Sequence, residues 1–203
     1  MADGKTQWGL KKMGFSKLTK ANKAITAFGE IHVQLGAITV NITNDDSNAN
    51  RQAADDGIHF DGSGASTATI EVTCAKFDKW FKTNILGYFE DGGGLGRGRG
   101  EKAEFCFIGE TNTDQGSKRF LFYDCTSSDI NESYQTNDVD GNYTFAEESV
   151  TLNAKIVELP SGLERLYWEC ESGAAEYDAF WNEVYYTPAS DDDDGDDHDG
   201  DGE

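Results

Sequence analysis

"ATIEVTCAKFDKWFKTNILG", residues 68–87, changes its hydrophobic period partway through. Ala68, Ile70, Val72 and Cys74 alternate with polar residues, which places them on one face of a strand. From Phe77 onward the period is 3.6: Phe77, Trp80, Phe81 and Ile85 fall near one helical stripe, and Gly87 is placed to stop it. The flanking sequence extends the period-two pattern. Upstream, "EIHVQLGAITVNIT" (30–43) alternates Ile31, Val33, Leu35 and then Ile38, Val40, Ile42, with a phase change at Gly36 and Ala37. That predicts two strand segments or one bulged strand. Downstream, "EFCFIGE" (104–110) and "RFLFYDCT" (119–126) are strongly apolar strand candidates joined by the turn-like "TNTDQGSK". "SVTLNAKIVEL" (149–159) alternates Val150, Leu152, Ala154 and Ile156, and "ERLYWECE" (164–171) predicts a last strand. "AAEYDAFWNEVYY" (174–186) aligns Tyr177, Phe180, Trp181 and Val184 as a short amphipathic C-terminal helix, and Pro188 marks its exit.

Seven or eight strands with short connections predict a mainly β fold, an antiparallel β-sandwich or barrel-like domain with one helix packed on the sheet. Three regions fall outside the regular pattern. Residues 1–30 are lysine-rich and weakly periodic and are expected to form an N-terminal arm ahead of a β-rich domain over 31–188. Residues 44–64 are polar and aperiodic, expected as a long projecting loop or as a hairpin too polar to recognise. Residues 189–203, ending "DDDDGDDHDGDGE", are expected as a solvated, disordered acidic tail.

Charge excludes one class of partner. Of the formal net charge of −21, nine acidic groups lie in residues 191–203, leaving 29 acidic against 17 basic residues, a net −12, over residues 1–190. Residues 1–30 hold six lysines against Asp3 and Glu30, so the stretch 31–190 is near −16. A surface of that sign repels nucleic-acid phosphates.

The glycine-rich "FEDGGGLGRGRGEKAEF" (89–105) does not reverse this. A dinucleotide cradle needs glycines at i, i+2 and i+5 between a strand and a helix. From Gly92, Gly94 and Gly96 the i+5 residue is Arg97, Arg99 and Glu101, and the loop follows a helix instead of preceding one. "GKT" at Gly4–Thr6 lacks the upstream glycine of a P-loop. No cofactor is expected.

Catalytic and metal signals are equally thin. Cys74, Cys106, Cys125 and Cys170 show no metal spacing and sit in apolar runs, as reduced core cysteines do. His59 near Asp55, Asp56 and Asp61 matches no nucleophile or metal pattern, and the tail's glycines do not align with a calcium loop. Neither an enzyme nor a metal site is expected. "MADGKTQWGL" has no apolar signal region and no run is long enough to cross a membrane, so synthesis in a cytoplasm is expected.

The order of segments carries a resemblance. "GAITVNIT", a polar loop ending in "ADDG", then "ATIEVTCAKFDKWFKTNILGYFEDGG" resembles the major tail protein family of long, non-contractile-tailed bacteriophages. So do "AEFCFIGETNTDQGSKRFLFYDCTSSDINESYQT", "ESVTLNAKIVEL" and the closing "FWNEVYYTP", from about Gly36 to Pro188. The resemblance implies a tail-tube subunit: six copies close into a ring, and rings stack into a hollow tube that DNA traverses without being specifically bound. The implied partners are the chain itself, a tape-measure protein, a tail terminator and tail-tip proteins, in a virion assembled in the host cytoplasm. On that reading Asp45, Asp46, Asp55 and Asp56 are candidate bore-facing carboxylates, and Arg97 and Arg99 are candidate inter-subunit contacts. The alternatives are another virion β-sandwich component and a carbohydrate-binding or adhesin module, the latter drawn from the aromatic residues near the C-terminal helix.

Overall fold

A computed structural model describes residues 7–45, 50–54, 57–62, 67–134 and 146–188, with backbone alone for 7, 8, 45, 50–54 and 57–62. In chain order its strands are β1 (Gln7–Ala21), β2 (Ala24–Phe28), β3 (His32–Gln34), β4 (Ala37–Asp45), β5 (Asn50–Ala54), β6 (Gly57–Gly62) and β7 (Thr67–Cys74). Helix α1 (Lys79–Asn84) follows, then β8 (Phe89–Asp91), β9 (Gly94–Gly96), β10 (Phe105–Thr113), β11 (Gly116–Ser127) and β12 (Asn131–Ser133). The last strands are β13 (Glu147–Lys155), β14 (Val157–Glu158), β15 (Glu164–Arg165) and β16 (Tyr167–Glu171). All ladder pairs between these strands are antiparallel, and the main sheet runs β2-β1-β10-β11-β13-β7-β4 with open ends, a sandwich and not a closed barrel.

The long strand β11 turns the sheet on itself. Gly116–Cys125 pairs with β10 on one side, and on the other Lys118–Phe122 pairs with β16 and the last four residues, Asp124–Ser127, pair with β13. One wall is therefore β4, β7 and β13, and the other is β16, β11, β10 and β1. Ile70, Val72, Val150 and Leu152 from the first wall meet Met13, Phe15, Phe105, Phe107, Phe120 and Phe122 from the second in one buried cluster. The opposite face of the second wall is buried too. Ile25, Cys106, Ile108, Leu121, Tyr123 and Cys170 form a second cluster, covered by Val157, Leu159, Phe180 and Val184. Burial on both faces is why "EFCFIGE" and "RFLFYDCT" read as continuous apolar runs, whereas β7 and β13, half-solvated, alternate cleanly. All four cysteines are buried thiols within these clusters, and burial raises the pKa of each, with Cys74 pushed up to about 12 and Cys170 to about 11.

The arm expected over residues 1–30 is replaced, for residues 7–28, by two strands of the main sheet. β1 pairs with β10 along Gln7–Lys17, with β3 at Met13–Phe15 and with β2 at Leu18–Ala21. Met13 and Phe15 are fully buried, and Gly14 between them leaves room for the His32 carbonyl, which an added Cβ would approach to 2.8 Å. The lysines that suggested a solvated arm are counter-ions for the next strands. Lys11 meets the buried Glu110 at 2.7 Å, Lys20 meets the fully buried Asp124 at 2.6 Å and Glu104 at 2.7 Å, and Lys12 lies over the Trp181 ring at 3.9 Å. Of the two readings of residues 44–64, the described part is a hairpin, β5 pairing with β6; residues 46–49, 55–56 and 63–64 lie outside the described residues.

Both expected helices shrink. α1 is six residues long, capped by Asp78, whose Oδ1 accepts the Phe81 N–H at 2.8 Å, and it inserts Phe77, Phe81 and Ile85 into the first cluster. The buried Lys82–Glu148 pair (2.8 Å) ties it to β13, with Glu148 also accepting the Phe77 N–H at 2.7 Å. The C-terminal helix is a correction: residues 174–186 form turns and one 3-10 turn, Ala179–Trp181. The cause is tertiary. Arg119 stacks on the Tyr177 ring (3.6 Å) and donates to the Tyr177 carbonyl, the group that an α-helix would give to Trp181. The Trp181 indole N–H donates to Glu110 at 2.9 Å instead of leaving the side chain on a helical stripe.

Glu110 thus gathers Lys11, Arg119 (2.8 Å) and Trp181, and fastens the C-terminal segment to the sheet. Burial works against its charge, but the hydrogen bonds from Lys11, Trp181 and Arg119 outweigh it and hold the carboxyl down at about 2. A depressed carboxylate stabilises the fold above its unfolded pKa of roughly 4.3, and that contribution is lost as pH falls toward the folded value. Acid titration followed by Trp fluorescence is expected to show the C-terminal segment loosening between about pH 4 and 2, with a loss of about 2 kcal/mol. Glu110→Gln should show that looseness already at pH 7. Urea unfolding tests β1 directly: Phe15→Ala is expected to cost about 3–5 kcal/mol and Lys17→Ala less than about 0.5, whereas an arm would make both neutral.

Candidate assembly surfaces

β4 pairs with β7 on one side, and no described strand pairs with its other edge. Its side chains show what that edge lacks. Val40 and Ile42 stand opposite Val72 and Ile70 and so point to the core side, yet Ile42 is 40% exposed, as is Ile38 at 44%, while Ile70 and Val72 are fully buried. A bulge between Ala37 and Thr39 accompanies the phase change read at Gly36–Ala37. The sandwich is therefore open along β4. A groove of about 790 Å³ runs between Ile42 and Asn44 on one lip and Phe122, Leu166, Tyr167 and Glu169 on the other, and a second, of about 390 Å³, continues past Ile38 and Val40 toward Leu10 and Phe120. An unpaired edge with half-covered inward apolar residues is incomplete as a monomer surface.

The outer face of the same wall is a polar grid. Register places Thr39 beside Thr73 and Ser149, Asn41 beside Glu71 and Thr151, and Thr43 beside Thr69 and Asn153. All nine are exposed or half-buried, and Glu71 is the one charged group among them. Asp45 closes β4 opposite Thr67, with its side chain outside the described residues, as are Asp46, Asp55 and Asp56 altogether.

The glycine-rich segment is a hairpin. β8 and β9 pair around Gly92–Gly93, both at positive φ (55° and 85°), the requirement of a two-residue type I′ turn. Phe89 lies over Gly96, where an added Cβ would come within 2.4 Å of the ring. Arg97 pairs with Asp129 of its own chain, and Lys102 meets the same carboxylate at 2.8 Å, so Asp129 titrates below the usual carboxylate range, the Lys102 hydrogen bond contributing most. Arg99 is exposed and has no ion-pair partner among the described residues. Arg97 therefore has an exposed ion pair within the chain, and Arg99 has none among the described residues.

The aromatics that raised a carbohydrate-binding reading are packed. Trp168 stacks on Phe180 (5.6 Å), Trp181 is held by Glu110, and Trp80 lies flat on His32 at 4.2 Å, with His32 Nε2 2.5 Å from Asp78. None offers a bare platform. Among the described residues no group of three or more His, Cys, Asp or Glu side chains is arranged to hold a metal ion, and no helix is long and apolar enough to cross a membrane.

Sequence reasoning missed the β4 edge as a site. The alternation at Ile38, Val40 and Ile42 gives the strand, but an edge strand and an interior one of this kind carry the same pattern. No curated protein matches the chain. The family model described as phage tail tube protein matches residues 5–191, β1 and β2 included, and the chain belongs to that family.

Proposed function

We propose that this chain is the repeating subunit of a tail tube, closing with further copies, six in all, into a ring whose stacked repeats form a conduit for DNA. Membership of the family carries the coarser statement: the chain is a structural protein of the phage tail, a virion component that self-assembles into a tube and contacts other tail proteins. The finer reading is supported above all by β4. Its free edge offers backbone donors and acceptors, and Ile38 and Ile42 offer apolar area that a neighbour's strand covers when the sheet continues from copy to copy. A head-to-tail contact of this kind closes into a ring when its rotation divides a full turn.

If the β4–β7–β13 sheet joins its neighbours edge to edge, its polar grid becomes the bore wall. Hydroxyls and amides there bind water, Glu71 and Asp45 supply negative charge, and the one cation in the same rows, Lys155, is paired with Glu104 at 2.9 Å, a balance that keeps a DNA duplex from adhering. Tape-measure, terminator and tail-tip proteins are the partners this role requires, with assembly in the host cytoplasm.

Negative-stain electron microscopy of the concentrated protein, alone or seeded with tail-tip complexes, is expected to show hollow tubes. Monodisperse monomer at millimolar concentration that also refuses the seed would overturn the reading. Ile42→Lys places a charge on the lip of the groove and is expected to leave a folded monomer that no longer forms rings. Glu71→Lys with Asp45→Lys should preserve tubes but retain DNA, more strongly at 0.01 M salt, where the Debye length is roughly 30 Å. Ejection unchanged at every ionic strength would place that face elsewhere.

A further inference from the structure

The β8–β9 hairpin is joined to the rest of the molecule by surface charge and not by a ladder. It forms a two-stranded sheet of its own and pairs with no other described strand. Its base is fixed. The Tyr88 N–H donates to the Lys82 carbonyl at 2.9 Å and the Ala103 N–H to the Ile85 carbonyl at 2.9 Å, and both residues pack on the first cluster. Gly87 and Gly100 meet at this neck so closely that a Cβ on Gly100 would come within 1.9 Å of the Gly87 carbonyl oxygen. Beyond the neck the chain stands clear. A Cβ on Gly92 or Gly93, at the tip, would meet nothing within 4 Å, and Phe89, 52% exposed, lies over Gly96 and Gly98 of the same segment.

Two ion pairs hold the hairpin to the body, one from each arm. Glu90 of β8 meets Lys79, the first residue of α1, at 2.6 Å, and Arg97, directly after β9, meets Asp129. The four side chains are between 42% and 61% exposed, so salt screens both pairs and each adds little at high ionic strength. Parting them strands no buried charge. Lys102 stays on the Asp129 carboxylate at 2.8 Å when Arg97 leaves, and Lys79, Glu90 and Arg97 return to water. Leu95, 39% exposed, is the hairpin's one residue in the lining of a groove of about 540 Å³ whose other walls include Val33, Leu35, Phe77 and Asp78. From this placement of charge we infer that the hairpin is a strap. Glu90–Lys79 and Arg97–Asp129 latch it along one side of that groove, and it swings out as a unit about the Gly87–Gly100 neck when salt or a competing charged surface replaces its partners. Glycines at 96, 98 and 100 supply torsional freedom on one arm. The ladder within the hairpin survives the movement, which is therefore a local opening and costs far less than unfolding. Opening withdraws Leu95 and leaves Val33 and Leu35 without that wall, so ionic conditions set how much apolar surface the subunit presents there. Every contact in the device lies within one chain, and the inference stands apart from the ring reading.

Spin labels on the full-length chain read the strap directly. Asp91 at the tip and Asn153 on β13 are exposed and the four native thiols are buried, so in an Asp91→Cys, Asn153→Cys chain a nitroxide reagent goes to the two new sites. Double electron–electron resonance on dilute protein is expected to give one narrow distance at 0.01 M salt and a second, separate one at 1 M, the Debye length falling from roughly 30 Å to roughly 3 Å. Glu90→Gln with Arg97→Gln should show the second distance already at the lower salt. Exchanging one pair, Glu90→Lys with Lys79→Glu, should keep the parent's behaviour. In the unlabelled Gln variant a Val33→Cys thiol should react with a bulky maleimide about threefold faster or more than in the parent, with the urea midpoint of the fold unchanged. A single distance shared by the parent at both salts and by the Gln variant, or equal reactivity of the Val33→Cys thiol, would overturn the inference. A second distance that comes with a lowered urea midpoint would assign the change to the fold as a whole and overturn it as well.

Discussion

Everything in this protein hangs on a pair of strands buried on both faces. β10 and β11 direct Phe105, Phe107, Phe120 and Phe122 into one cluster and Cys106, Ile108, Leu121 and Tyr123 into another. A strand pair with no solvated face must be covered twice. It folds the continuation of its own sheet over one face, through the bend of β11 into β13, and lays the irregular C-terminal segment over the other. The C-terminal aromatics are the cover for that second face, which is why they pack on sheet residues instead of forming a helix of their own.

Charge follows the same plan. The carboxylates of β10 and β11 at Glu110 and Asp124 lie in positions that water does not reach, and an unpaired buried carboxylate is costly. The lysines of β1 supply the counter-charge, Lys11 to one and Lys20 to the other, and Lys155 of β13 approaches Asp124 to 3.4 Å and Glu104 to 2.9 Å. The strongly acidic middle of the chain and its lysine-rich beginning are therefore one electrostatic unit. Losing Lys11 or Lys20 weakens the compensation of a buried carboxylate, so the strand is held by its register as well as by Met13 and Phe15.

What the fold leaves unfinished is what points to assembly. The monomer satisfies its double-faced strands completely and its β4 edge incompletely, with exposed isoleucines directed at an open groove. The groove lined by Leu35 and Leu95 leaves further apolar area exposed beside the start of β4. The polar grid on the outer face of β4, β7 and β13 needs no cover at all.

By itself the sequence determined the antiparallel β class, most of the strands and the apolar stripe of α1. Those conclusions rest on local periodicity and spacing, which are properties of neighbouring residues. It did not disclose β1, because lysines at 11, 12, 17 and 20 mask the alternation of Met13 and Phe15, and because the β1–β2 turn uses Asn22–Lys23, both at positive φ, where the familiar signal has glycine. Nor did it separate Arg97 from Arg99, since the carboxylate that occupies Arg97 is 32 residues away at Asp129. The C-terminal stripe read as a helix because its spacing is helical, and only the distant Glu110 and Arg119 decide otherwise. Edge and interior, free and paired, helix and pinned turn are all settled by residues remote in the chain, and one-dimensional pattern holds no record of which remote residue arrives.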